Sequence, residues 1–419
     1  MTIDANYKVF LTPLTGESEY GSEFEITDFV LSSVGNVSKK TDSDNYAIGA
    51  YLMGTVNLTC TNYNGEFNES DARSFFKYKR DLSKIRIVYY DDSTTFSTSF
   101  QGLISDSGTS DDTEKELIKI RVLALESILE NTQVSSGLIE AGDLFSTAIK
   151  TILNVPAITA VLTYSDANIE VDLDLIIDTE GGAFDNKSTW EVLKLLLVAS
   201  NSVVYIDDET INVKTRDENT NEISYFYGPG DTLDRENFIK ISGYNNGAHR
   251  IFNSVVINDT EYSDDISVSW FGLKQTTFTL SFITDSDKEL IIAKNLVNQF
   301  RYPRIEFKLT CPTQLANQIN FFDTVGVSHC LRARPWKTTN APLWDVSKYD
   351  TDTDVYPVDF GGVAIDGQLA FQIIERNENP NRFETTLKLR GRGKTFDDGL
   401  IIFWTSAYDL SIWDVSTWG

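Results

Sequence analysis

The chain has 419 residues, 41% of them hydrophobic, and 36 lysines and arginines stand against 62 aspartates and glutamates for a formal charge of −26. That length corresponds to about three domains at roughly 150 residues each, and the apolar content supports real cores, which excludes a disordered protein. The deficit of cations excludes specific nucleic-acid recognition, which rests on basic phosphate contacts; an acidic surface instead keeps an assembly soluble and repels DNA passing nearby.

Residues 1–130 read as all-β. YKVFLTPL opens, and in AIGAYLMGTVNLTCTNYNG the residues Val56, Leu58 and Cys60 alternate with Asn57, Thr59 and Thr61. Asn64-Gly65 is a turn dipeptide. KIRIVYY, STSFQGLIS and LIKIRVLAL add strands, with DSGTSDDTEKE expected as a polar loop between the last two. The spacing suits a barrel or sandwich.

Residues 131–240 change to a small α+β module. Asp143 is expected to cap a helix with Leu144, Ala148, Ile149 and Ile152 on one face, ending at Asn154. Ser188 and Glu191 form a capping box before Trp190, Leu193 and Leu197. SVVYIDDETINVKTR reads as a hairpin turning at 207–209, and YGPGD marks a boundary.

Residues 241–345 read as a second β-domain. HRIFNSVVIND and ISVSWFGLKQTTFTLSF suggest strands, the latter broken at Phe271-Gly272. A helix over 286–300 is expected, with a Ser286–Glu289 capping box and a stripe of Leu290, Ala293, Leu296, Val297 and Phe300, stopped by Pro303. IEFKLT and FFDTVGV close the stretch from 249 onward as one construction. Residues 346–419 hold a long polar loop, a hairpin in AFQIIERNENPNRFETTLKLRGR and an aromatic tail.

Chemistry is sparse. The two histidines, His249 and His329, lack zinc-binding spacing, and HExxH, GxSxG, the P-loop and CxxC are absent. Cys60, Cys311 and Cys330 are too scattered for a disulfide framework or a metal site, and read as small core residues. Asp350, Asp352 and Asp354 have the alternation of a calcium loop, but Val355 stands where glycine is needed and Gly361 where a bidentate glutamate belongs. Asp172, Asp174 and Asp178 read as ordinary surface charge. The expectation is therefore no catalytic residue, no cofactor and no metal. Trp404, Tyr408, Trp413 and Trp418 are the candidate partner-interface residues, because aromatics of this density make contact hot spots. No run reaches the ~18–20 apolar residues of a membrane span, and MTIDANYKVF lacks the regions of a signal peptide, so synthesis in a cytoplasm is expected.

The order of GTVNLTCTNYNGEFN and FQGLIS, then TWEVLKLLLVASNSVVYIDDETINVKTR, then DDISVSWFGLKQ, IAKNLVNQFRYPRIEFKLT and DTVGV, and finally GGVAIDGQLAFQIIERNENPNRFETTLKLRG resembles the baseplate or tail-tip hub proteins of tailed bacteriophages. The resemblance implies a mainly β, multidomain fold. Two tail-tube-like barrel or sandwich domains, 1–130 and 241–345, would flank the α+β insertion at 131–240. A C-terminal segment, 346–419, would contact a neighbour or spike. It implies a non-enzymatic virion protein, a homotrimer forming a pseudo-sixfold ring between the distal tail or tube ring and a central spike or fibre, near the tape measure protein. DNA would cross the lumen without specific binding. The alternatives are a hexameric distal tail ring protein, a host-surface carbohydrate-binding tail protein and a cell-wall hydrolase.

Overall fold

The computed structural model describes residues 7–17, 19–31, 37–41, 51–52, 54–69, 72–76, 78–91, 95–112, 114–179, 182–207, 209–215, 225–227, 238–245, 251–301, 306–316, 319, 323–327, 364–365, 368–379 and 384–391. As read from the sequence, the fold is mainly β with α+β parts.

The first sheet uses β1 (Tyr7–Leu14) and β2 (Phe24–Glu25); β3 (Val37–Thr41) and β4 (Tyr51–Leu52) then leave it, and β5 (Thr55–Thr61), β6 (Lys79–Asp91), β7 (Thr95–Asp112) and β8 (Leu117–Ala124) complete it. Its antiparallel order is β2-β1-β6-β7-β8-β5. Period-two alternation buries Val56, Leu58 and Cys60 with Leu11, Ile85, Ile87, Ile118 and Ile120 on one face. Rings of Phe24, Phe29, Phe67 and Phe75 close that core edge-to-face, with centroids 5.1 to 5.9 Å apart. Gly65 makes its turn at φ 76°. The expected loop after FQGLIS is shorter than the sequence suggests. β7 continues to Asp112 through a register shift between Ser105 and Ser110, where Gly108 adopts φ 103° and Arg121 N donates to Thr109 Oγ1.

The middle module contains α1 (Ser127–Asn131), α2 (Phe145–Leu153), α3 (Pro156–Thr159), α4 (Thr189–Ser200) and the hairpin β9 (Ser202–Asp207) and β10 (Thr210–Thr215). In α2, Ala148, Ile149 and Ile152 are buried as expected, but Leu144 is exposed. Asp143 does not cap α2: Leu144 holds the N-cap position, and Asp143 Oδ2 accepts instead from Glu140 N. The Ser188–Glu191 capping box forms, and Asn201 ends α4 in the left-handed conformation.

A nine-stranded sheet then assembles from distant segments: β11 (Tyr225–Tyr227), β12 (Lys240–Asn245), β16 (Glu306–Pro312), β17 (Thr324–Val327), β18 (Ala364–Ile365), β19 (Gln368–Asn379) and β20 (Glu384–Gly391). The order is β11-β17-β19-β20-β16-β12, with β18 also on β19. β3 joins this sheet as well, antiparallel to β19 from Val37↔Glu378 to Lys40↔Glu375, and β4 pairs with β3. Phe307, Leu309, Phe371, Leu387 and Leu389 form its buried face.

Between β12 and β16 lies a separate unit of β13 (Ser254–Ile257), β14 (Thr260–Ser263), α5 (Asp265–Phe271), β15 (Gln275–Phe278) and α6 (Ser286–Phe300), and after β16 comes the short α7 (Thr313–Ala316). The stretch from 249 onward is thus not one construction, since β16 and β17 belong to the large sheet. DISVSWF, expected as a strand, is the helix α5, because Asp264 caps it by accepting from Ser267 N. Helix α6 covers the expected residues, but its cap is Asp285 rather than Ser286, and Leu290 is exposed. Glu289 turns inward, accepting from Asn258 Nδ2 and Thr260 Oγ1, both at 2.5 Å.

Candidate interaction surfaces

Residues 170–179 form an extended strap that ties three helices together. Its main chain is bound at each step: Leu173 N donates to Ser200 O, Leu175 O accepts from Phe145 N, Ile177 N donates to Asp143 O, and Asp178 N donates to Phe282 O. The alternating aspartates each serve a helix end. Asp172 Oδ2 accepts from Asn201 Nδ2 at the end of α4 and from Asn295 Nδ2 of α6. Asp174 accepts from Ser146 N and Oγ at 2.9 and 2.7 Å, satisfying an orphan donor at the start of α2. Asp178 accepts from Thr284 N at 2.8 Å and Asp285 N at 3.0 Å ahead of α6, and pairs with Lys288. Burial alone would raise the Asp178 carboxyl, but the Lys288 ammonium and the two amides outweigh it and hold it below the usual carboxylate range. These three residues, which look like surface charge in the sequence, are therefore helix-end anchors.

Apolar contacts reinforce the same junction. Phe282 is fully buried between Phe145 of α2, at 6.0 Å, and Phe184, at 5.1 Å. The first sheet meets the middle module at the turn between β9 and β10, where Lys84 Nζ reaches Glu209 Oε1 at 3.0 Å and lies over the Tyr20 ring. Burial, with the Glu209 charge beside it, pushes the Tyr20 hydroxyl up to about 12. Neither Lys84 nor Glu209 stands out locally in the sequence; the only signal was the expected turn at 207–209.

Trp404, Tyr408, Trp413, Trp418, the Asp350–Asp354 loop, His249, His329 and Cys330 all lie outside the described residues. Among the described residues no three His, Cys, Asp or Glu side chains come together as a metal site. Burial pushes the Cys60 thiol up to about 12, which leaves it protonated and unreactive. No helix among the described residues is long and apolar enough to cross a membrane. Exposed large apolar side chains include Leu144 and Ile176, which face each other across a bridge, Ile291 of α6, and Ile266 of α5 with Leu273 past its end.

No protein-family model matches the sequence, and no curated relative does. Solved structures do match. A tail protein from Neisseria meningitidis MC58 superposes over 92% of this chain and 96% of its own, at 11% identity and a TM-score of 0.52. The chain has the fold of that tail protein. The prophage tail protein gp18 from Listeria monocytogenes EGD-e covers 93% of this chain and 95% of its own, at 11% identity and a TM-score of 0.49. The 43 kDa tail protein of prophage MuSo2 from Shewanella oneidensis covers 91% and 97%, at 9% identity and a TM-score of 0.47.

Proposed function

We propose that this chain is a structural component of a bacteriophage tail, a hub at the baseplate or tail tip with no catalytic activity of its own. The observation that carries this reading is the end-to-end likeness to a tail protein, 92% of one chain on 96% of the other. In this reading three copies close a pseudo-sixfold ring, with one large sheet in each of two tube-like parts. The ring joins the distal tail or tube ring to a central spike or fibre, adjoins the tape measure protein and encloses the DNA path. Ring closure suits a protein rich in sheet, because it leaves few edges open to aggregation. A charge of −26 suits a channel that DNA crosses without sticking. The tail residues Trp404, Tyr408, Trp413 and Trp418 are assigned to the contact with a neighbouring copy or the spike.

The test is stoichiometry. Mass photometry of the purified chain, and symmetry-resolved imaging with its tail neighbours, should give three copies per ring. Six copies would move it to the distal tail ring, and a strict monomer in both settings would overturn the reading. Loss of peptidoglycan turbidity on adding the chain would overturn the non-enzymatic part.

A further inference from the structure

We propose that Leu144, Ile176 and Ile291 form a docking surface for a cationic amphipathic segment of another protein. Three elements bring these side chains together. Leu144 and Ile176 face each other across an antiparallel bridge. Lys288 Nζ donates to Ile176 O at 2.9 Å, and Asn295 Nδ2 donates to Asp172 Oδ2 at 3.0 Å, so both residues of α6 lie along the strap. Ile291 sits three residues after Lys288 and four before Asn295, which places it between them on the same side of the helix.

The three are exposed to 39%, 47% and 46%. One exposed leucine is ordinary, but three large aliphatic side chains exposed on three adjoining elements make a patch of the kind that marks an interaction site. Its rim selects the partner. Asp172, Asp174 and Asp178 flank Ile176 along the strap, Lys288 offsets Asp178, and Asp287 and Lys294, one turn either side of Ile291, offset each other. The donors that hold Asp172 and Asp174 are the neutral Asn201, Asn295 and Ser146, so no cation offsets either carboxylate in those contacts. An apolar centre with a negative rim, in a chain of −26, favours a segment whose apolar side chains are flanked by lysine or arginine. A second copy would bring more negative charge to that rim.

The probe is a fluorescein-labelled helical peptide of leucine and lysine, with a leucine–glutamate peptide of the same pattern as its counterpart, read by anisotropy on the full chain. The lysine peptide should bind and the glutamate peptide should not. Ile176→Gln with Ile291→Gln should weaken binding at least about tenfold, whereas Leu290→Gln, an exposed leucine on another side of α6, should leave it unchanged. Because these variants keep the charge, unchanged binding by the double variant would reduce the effect to general attraction to an acidic chain and overturn the proposal. Equal weakening by Leu290→Gln would do the same. If hydrogen exchange of the peptide-free oligomer shows residues 174–177 and 288–292 already covered, the occupant is a second copy and the proposal fails. Unfolding curves matching wild type verify that the double variant folds.

Discussion

Replacing Asp178 tests the strap most directly. Its carboxylate receives two main-chain amides ahead of α6 and the Lys288 ammonium, and the side chain is only 15% exposed. Asp178→Ala leaves those amides without an acceptor, a loss comparable to removing a helix cap, about 0.5–2 kcal/mol. It also leaves the half-buried Lys288 ammonium without its counter-charge, with only the Ile176 carbonyl as acceptor, and together the cost should be about 3 kcal/mol. Asp178→Asn can keep its oxygen on the two amides but turns a donor NH2 toward Lys288, so it loses the charge and that acceptor, for about 1.5 kcal/mol. The readout is hydrogen exchange at Thr284, Asp285 and the first turn of α6, because a chain of several parts does not unfold in one step. Protection there should fall in the order wild type, asparagine, alanine, while β5 and β8 stay unchanged. The pH dependence has a definite sign. The folded carboxyl titrates below its ordinary value, so its contribution is present above the unfolded pKa and is lost as pH falls through the folded one. Protection of α6 should therefore hold above about pH 5 and decline below about pH 4 in wild type, and show no such step in Asp178→Asn. Equal protection in all three proteins, or a loss spread evenly over the chain, would refute the assignment of Asp178 as an anchor.

Three further substitutions probe other joints. Phe282→Ala empties a fully buried site between Phe145 and Phe184 and should cost about 3–5 kcal/mol, seen as a lower urea midpoint for the middle module. Gly102→Ala places a Cβ 2.2 Å from Leu123 O and 2.8 Å from Phe100 Cε1, so β7 and β8 must separate. That overpacking should cost more than about 3 kcal/mol and leave the protein largely insoluble on expression. Ser38→Pro and Lys39→Pro each deprive β3 of an amide opposite Asn377 or Arg376. The one that removes a ladder bond should raise exchange along β19 without lowering protection in β6.

Much of the fold was legible wherever a single element carries its own period. Alternation at Val56, Leu58 and Cys60, the Ser188–Glu191 capping box and the extent of α6 all follow from local spacing. The misreadings have a common cause. DISVSWF has the β-branched look of a strand, yet one aspartate accepting from Ser267 N starts a helix there. The polar run after FQGLIS, the second half of β7, looks like a loop until a glycine at φ 103° lets the pairing resume. Asp172, Asp174 and Asp178 could not be separated from surface charge, because the donors they serve lie up to more than a hundred residues away. The pairing of β3 with β19 left no local trace at all.

That pairing has a consequence for how the chain is made. Lys40 and its partner Glu375 are separated by more than three hundred residues. At ~5–20 residues per second, β3 leaves the ribosome some ~15–60 s before β19 exists to receive it. The first sheet can close early, since β1, β2 and β5–β8 all lie within the first 124 residues. β3 meanwhile waits with only the two residues of β4 on one edge and its other edge open. The last step of folding is then a long-range closure in which the newest part of the chain captures one of the oldest, a slow and aggregation-exposed step. Truncation before β19 should accordingly yield a first sheet that folds but a protein prone to associate through a strand with no home.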